Sequence, residues 1–222
     1  MINSRLRPWF YDVLFLLILS VAAYFRFTGL NWDQSQHLHP DERFMTMVES
    51  ALQPVHSLSE YFNTDISSLN PHNRGYGFFV YGDLPVTMVR YAAEWMSNIS
   101  GWAAQRVQSG GANGLVGQTL SDLAKTPNWA GYDEVALVGR VFSAFSDLGS
   151  IVLLYLIGAR LYGRKVASLA AVFSGLAVMQ IQQSHFFTVD MFANFFMVLS
   201  AYFAVEIMTG EGEFAEFGEA SL

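Results

Sequence analysis

Apolar positions along this chain gather into four runs, and most of the polar chemistry falls between the first and the second. The runs extend from about Trp9 to Leu30, Val135 to Ala159, Val166 to Gln183 and Met191 to Met208. A helix rises about 1.5 Å per residue, so a hydrocarbon core about 30 Å thick takes roughly 20 residues to cross. Each run is therefore read as a membrane span, and the last three follow one another closely. The first is too long for the apolar part of a secretory signal, which covers about 7 to 15 residues, and reads as a retained anchor.

Between the first two spans the pattern changes. Phe44, Met45, Val48, Ala51 and Leu52 follow His39-Pro40-Asp41-Glu42 at helical spacing, and proline suits a first helical turn. Leu84 to Asn98, "LPVTMVRYAAEWMSN", predicts an amphipathic helix with Met88, Ala92, Trp95 and Ile99 on one face and Thr87, Arg90, Glu94 and Ser97 on the other. Its Trp and Tyr suit a helix lying in the membrane interface, with packing on a soluble subdomain as the alternative. The stretch "QSGGANGLVGQTLSDLAKTPNWAGYDE" is rich in Gly, Ser and Asn and reads as a flexible segment.

Composition agrees with a bilayer protein: of 222 residues 52% are hydrophobic and only 14% charged, against roughly a quarter charged in ordinary soluble domains. No cysteine is present, which excludes disulfides, thiolate metal sites and cysteine nucleophiles. The formal charge of −7 is gathered partly in the closing "GEGEFAEFGEASL", so no basic surface for nucleic acid emerges. Short loops rich in Lys and Arg stay in the cytoplasm. Arg5 and Arg7 precede the first span, and Arg160, Arg164 and Lys165 fill the turn between the second and third. Residues 31 to about 134 and the link Ser184 to Asp190 are then expected on the outer face.

That face holds the candidate chemistry. Asp41 and Glu42 fall in a predicted first helical turn, where free amides and the helix dipole favour ionised carboxylates. Within the second span, Arg140 and Asp147 lie seven residues apart on nearly one face, with Ser143 between them. A charge at mid-bilayer costs about 2.5 to 3.5 kcal/mol, so both should face protein or water. Arg140 is expected either to reach an anion at the outer interface or to pair with other helices. Gln180, Gln182, Gln183, His185 and Asp190 gather near the outer ends of the last two spans, with Asn194 four residues beyond. Asn98-Ile99-Ser100 fits a glycosylation sequon, a pattern with many chance matches; His56 and His72 read as ordinary loop histidines.

The order of these features resembles the polytopic GT-C class of membrane glycosyltransferases, in particular the protein O-mannosyltransferase and lipid A aminoarabinose transferase group. The residues that carry the resemblance are "HPDE", "GYGFFVYGDLPVTMVRY" and the long stretch from Val138 to Phe196. It implies an all-α integral membrane fold: the N-terminal part of a GT-C-like domain with four spans and a long outer loop carrying interfacial helices. Relatives have eleven or more spans, so residues 209–222 read as an interrupted cytoplasmic loop of a longer protein.

The resemblance also implies a reaction at the outer face of the plasma or inner membrane. A sugar would move, with inversion, from a polyprenyl-phosphate carrier to a hydroxyl of an acceptor protein, lipid or glycan. Asp41 is the implied base, and Glu42 would orient the acceptor or a metal-bound water. Arg140, then Arg74, are the candidates for the phosphate, with Asp190 and His185 lining the same cavity. No cofactor is implied with certainty, and a divalent metal is compatible with the carboxylates. Two other classes stay open. His37, His39, Asp41 and Glu42 could ligate a hydrolase's metal, although a helix starting at Pro40 turns these side chains apart. A non-catalytic lipid-binding or assembly subunit, or a transporter fragment, would use the intramembrane charges as a polar path.

Overall fold

The computed structural model describes residues 8–110, 114–126 and 128–210, and the regular structure among them is entirely helical. Three helices are long and apolar enough to cross a membrane: α1 (Pro8–Phe27), α6 (Tyr132–Tyr162) and α9 (Val189–Thr209). The intervening elements are α2 (Pro40–Ala51), α3 (Leu58–Phe62), a 3₁₀ turn (Pro71–Arg74), α4 (Asp83–Gln108) and α5 (Gly114–Leu123). After α6 come α7 (Arg164–Gly175) and α8 (Val178–Gln183). Arg5, Arg7 and the acidic 211–222 segment lie outside the described residues.

The chain divides into two compact units. The first comprises the chain up to Gly29, Ser143–His185 and the residues from Asp190 onward; the second comprises Leu30–Phe142 and Phe186–Val189. In the first unit α1 packs on α7. Its core gathers Ala22, Leu148, Ile151, Tyr155, Ala167 and Ala171, with Phe15 stacked on Tyr155 at 3.9 Å. Small residues let the helices close up: a Cβ added to Gly158 would lie 3.0 Å from the Ala167 Cα, and one on Gly149 would lie 2.7 Å from the Phe195 ring.

The expected span from Val166 to Gln183 is not one helix. α7 ends at Gly175, Leu176 and Ala177 leave the helical path, and α8 restarts at Val178. Twelve residues of α7 rise only about 18 Å, short of a bilayer core. The break is held by Arg26, which is wholly buried. Its Nη1 donates to the Gly175 carbonyl at 2.9 Å and to the Ala22 carbonyl at 3.1 Å, and its Nη2 donates to the Ser174 carbonyl at 3.3 Å. Carbonyls freed at a helix end need donors when water is excluded, and a guanidinium supplies several at once. The charge is met by Asp147, whose Oδ2 accepts from Arg26 Nε at 2.6 Å while its Oδ1 accepts from Gln180 Nε2 at 3.4 Å. Gln180 also accepts from Ser174 Oγ at 3.0 Å, tying α8 back to the end of α7. Asp147 is thus joined to other helices of its own unit.

In the second unit α2 packs against α4 and the 3₁₀ turn, and α4 against α5. Pro40 takes the first helical position of α2 and the His39 side chain caps it, accepting from the Glu42 amide at 3.3 Å. Leu52 ends α2 in extended geometry, two residues before a proline. α4 runs ten residues past the expected end at Asn98, and it presents its faces differently from the sequence pattern. Arg90, expected on the polar face, is buried beside Val86, Val89 and Ala93, while Met88 and Trp95 are exposed. The burial is tolerated because Arg90 pairs with Glu94 one turn on and donates from Nη1 to the Ala130 carbonyl at 3.3 Å. The Gly- and Ser-rich stretch read as a flexible segment contains α5, where Leu115, Val116, Leu120 and Leu123 recur at helical spacing.

Arg26→Met leaves Asp147 buried without its cation and should lower stability by about 3 to 5 kcal/mol, while Arg26→Met with Asp147→Leu should recover most of that loss. Thermal unfolding of the chain in lipid nanodiscs, followed by helical circular dichroism, reads both.

Candidate functional site

The segment joining α1 to α2 is built around Asp33. Gln34, Ser35 and His37 all have positive φ, at 51°, 60° and 50°, a left-handed conformation that costs non-glycine residues about 1 kcal/mol or more each. The Ser35 amide donates to Asn31 Oδ1 at 3.1 Å, and the Leu38 and Ser35 amides favour the charge of the Asp33 carboxylate. Burial works against the charge of Asp33, yet hydrogen bonds and attraction from Arg140, with those two amides, hold its carboxyl below the ordinary value. His37 is buried at the end of this path. Its ring packs tilted against Tyr132 with ring centres 4.1 Å apart and places Nε2 3.2 Å from Asp133 Oδ1.

Arg140 closes the site. Its Nε and Nη2 donate to the two oxygens of Glu42 at 2.6 and 2.7 Å, and Nη1 and Nη2 donate to the two oxygens of Asp33 at 3.0 and 2.9 Å. The remaining Nη1 hydrogen goes to the Leu30 carbonyl at 2.7 Å. All five guanidinium N–H groups are thereby used. One cation between two carboxylates leaves a negative charge, which is spread over backbone donors. Glu42 Oε1 accepts from the Phe187 amide at 2.8 Å, and the Leu38 and Ser35 amides favour the charge on Asp33. Trp32 lies under the guanidinium, 5.4 Å from ring centre to Cζ. Phe187 reaches Glu42 because position 139 lacks a side chain: a Cβ there would sit 2.1 Å from the Phe187 ring.

The two adjacent carboxylates therefore differ. Glu42 is wholly buried and committed to Arg140 and Phe187, whereas Asp41, one position earlier in the same first turn, is exposed and makes no hydrogen bond or ion pair with any described residue. Neighbours on a helix diverge by about 100°, which turns one inward and the other outward. In this arrangement Arg140 has no N–H left for a phosphate, and Glu42 has no outward-facing oxygen for an acceptor. Arg74 donates from Nε to the Ser68 carbonyl at 3.2 Å and from Nη2 to Gln53 Oε1 at 3.2 Å, leaving Nη1 unengaged. Arg43, not singled out by the sequence pattern, is exposed and forms no ion pair with a described residue. His185 and Asp190 belong to the other unit. The His185 ring nitrogens lie 2.7 Å from the Ile181 carbonyl and 3.0 Å from that of Thr28, and Asp190 is exposed in the first turn of α9.

No three of His, Asp and Glu converge as metal ligands among the described residues. His39 is occupied as a helix cap and by stacking on Phe186 at 4.2 Å, and His37 faces Asp133. Glu49, two turns beyond Glu42 on α2, was not expected to matter. It is wholly buried, and neither oxygen has a hydrogen-bond partner. Burial pushes its carboxyl up to about 8, against the pull of Arg90 and with the push of Glu94. No family model, curated protein or solved structure matches the chain.

Two outcomes follow. Lysine cannot fork two carboxylates, so Arg140→Lys should cost roughly 3 kcal/mol or more, read as faster amide exchange through Pro40–Ala51. Glu49 binds its proton more tightly folded than unfolded. Its contribution is complete below the ordinary carboxyl pKa near 4.5 and is lost as pH rises through about 8, at up to about 1.4 kcal/mol per pH unit between them. Melting temperatures measured from pH 5 to 9 should fall with pH in the parent chain and flatten in Glu49→Gln.

Proposed function

We propose that this chain is part of a membrane glycosyltransferase that moves a sugar from a polyprenyl-phosphate carrier to an acceptor hydroxyl at the outer face, with Asp41 as the base. The observation that carries this reading is the division of labour in the Asp41–Glu42 pair. Glu42 is spent on a buried clamp that fixes the start of α2, and that leaves Asp41 rigidly held, exposed and free to accept a proton. Three apolar helices of spanning length put such a carboxylate on a membrane protein, where a lipid-borne donor is at hand. The order of motifs along the chain, from "HPDE" to the Val138–Phe196 stretch, supports the same class.

The chemistry asks little more of the protein. Polyprenyl phosphate leaves as a stable anion and needs no general acid, so one base and positive charge near the phosphate suffice. The acceptor oxygen loses its proton to Asp41 and forms the new glycosidic bond as the bond from the anomeric carbon to phosphate breaks. Glu42 and Arg140 are positioning residues in this reading. The unengaged Nη1 of Arg74 and the exposed Arg43 are the nearest available cations in the second unit's sequence for the phosphate, because a guanidinium pairs well with phosphate oxygens.

Membranes carrying the longest natural form of the chain, supplied with labelled polyprenyl-phosphate sugars, should transfer label to acceptor. Asp41→Asn should reduce the rate by about 100-fold or more at equal expression. Equal rates in both would remove Asp41 from the chemistry. Donor binding without transfer in either would favour a lipid-binding or assembly subunit.

A further inference from the structure

A second concave feature lies in the second unit, away from the carboxylate clamp in sequence and built from different elements. It is a cleft of about 330 Å³ where α3, the segment after it, the 3₁₀ turn and the start of α4 converge. That volume is at the small end of ligand sites, which run from about 300 to 1,000 Å³. Seven of its eight lining side chains carry polar groups; apart from the buried Ser67 and from Asn70, which is bonded into the wall, these are the Tyr61, Thr64 and Thr87 hydroxyls, the His72 ring and the Asp83 carboxylate, five in all. None of the five makes a side-chain hydrogen bond or ion pair with a described residue. Leu69, buried, adds an apolar surface to the same cleft.

The cleft's wall is nevertheless fixed. Asn70 Nδ2 and Asn73 Nδ2 both donate to the Thr64 carbonyl, at 2.9 and 2.8 Å, and Asn73 donates again to the Ser67 carbonyl at 3.0 Å. Asn70 Oδ1 in turn accepts from the His72 amide at 3.1 Å, setting the start of the 3₁₀ turn. The asparagines thus do the structural bonding, and the hydroxyls, imidazole and carboxylate are left over. A wall ordered before binding spares a ligand that entropic cost.

We infer that this cleft binds a neutral polyhydroxylated ligand, about one hexopyranose ring in size. Each hydroxyl of a sugar both donates and accepts, so it can satisfy the Asp83 acceptor, the three protein hydroxyls and either tautomer of His72. An anion would meet the Asp83 carboxylate with no lysine or arginine in the lining to offset it, and a lipid chain would strip water from these polar groups and leave them unpaired. Tyr61 is 48% exposed, which leaves ring surface for the C–H face of a sugar, the amphipathic role aromatic residues serve in polar sites. The inference does not depend on the transfer chemistry assigned to Asp41, because it concerns occupancy alone.

The test is saturation-transfer NMR on the full chain in nanodiscs prepared without sugar-based detergent. The probes are the methyl glucopyranoside, galactopyranoside and mannopyranoside, with glycerol 3-phosphate and ethanolamine as charged counterparts. At least one hexoside should bind with a dissociation constant on the order of 1 mM, as suits so small a ligand. Tyr61→Ala and Asp83→Asn should each weaken it about tenfold, Tyr61→Phe should weaken it less because the ring remains, and Phe62→Ala, one position away and highly exposed, should leave it unchanged. Binding that survives both Tyr61→Ala and Asp83→Asn, or a preference for either charged probe, overturns the assignment, as does the absence of saturation transfer to every hexoside.

Discussion

A guanidinium whose every N–H is taken organises the second unit. Arg140 joins the loop before α2 through Asp33, the first turn of α2 through Glu42 and the start of the segment after α1 through the Leu30 carbonyl, all from one position on α6. Two carboxylates sharing one cation require donors for the excess charge, and backbone amides contribute them. That requirement explains features that would otherwise be unrelated: the left-handed path of Gln34, Ser35 and His37, the insertion of Phe187 toward Glu42, and the glycine at 139 that lets it in.

The first unit solves a comparable problem with the opposite sign. There the unmet groups are carbonyls at a helix break, and the buried cation Arg26 answers them while Asp147 answers Arg26. In both units a buried arginine is a connector rather than a free cation, since a planar fork can serve several acceptors where an ammonium serves them as a point. This bears on how intramembrane charge is read in general. Arg140 and Asp147 lie on nearly one face of one helix, yet each is neutralised by a different part of the chain and neither by the other.

The long apolar runs made α1, α6 and α9 legible, because spanning length is a property of composition. The break between α7 and α8 was not, since Leu176 and Ala177 are as apolar as their neighbours and the donors that stabilise the break come from Arg26 in α1. Arg26 itself was open to the same argument that singled out Arg140, a charge within an apolar run, but its place near the end of that run hid it. The orientation of α4 was misread because Arg90 counts as polar; its i+4 partner Glu94 was the clue that the charge could be buried. Asp41 and Glu42 were legible as a pair at a helix start, and the 100° between them predicted different roles, but which faces inward is decided by Arg140. Glu49 offered no signal, since a lone acidic residue in an amphipathic helix ordinarily marks its solvent face.

Among the described residues the ion partners of α6 all precede it in the chain: Arg26, Asp33, His37 and Glu42 are synthesised before Asp133, Arg140 and Asp147. During translation the helix with the most costly charges therefore emerges when its counter-charges are already present, so it need not wait unneutralised for later segments. Part of the backbone contribution, the Ala22 and Leu30 carbonyls, also precedes α6, and the rest arrives afterwards, with Gly175 for Arg26 and Phe187 for Glu42. The order of synthesis thus makes the charge partners available first and the last of the hydrogen-bond partners second.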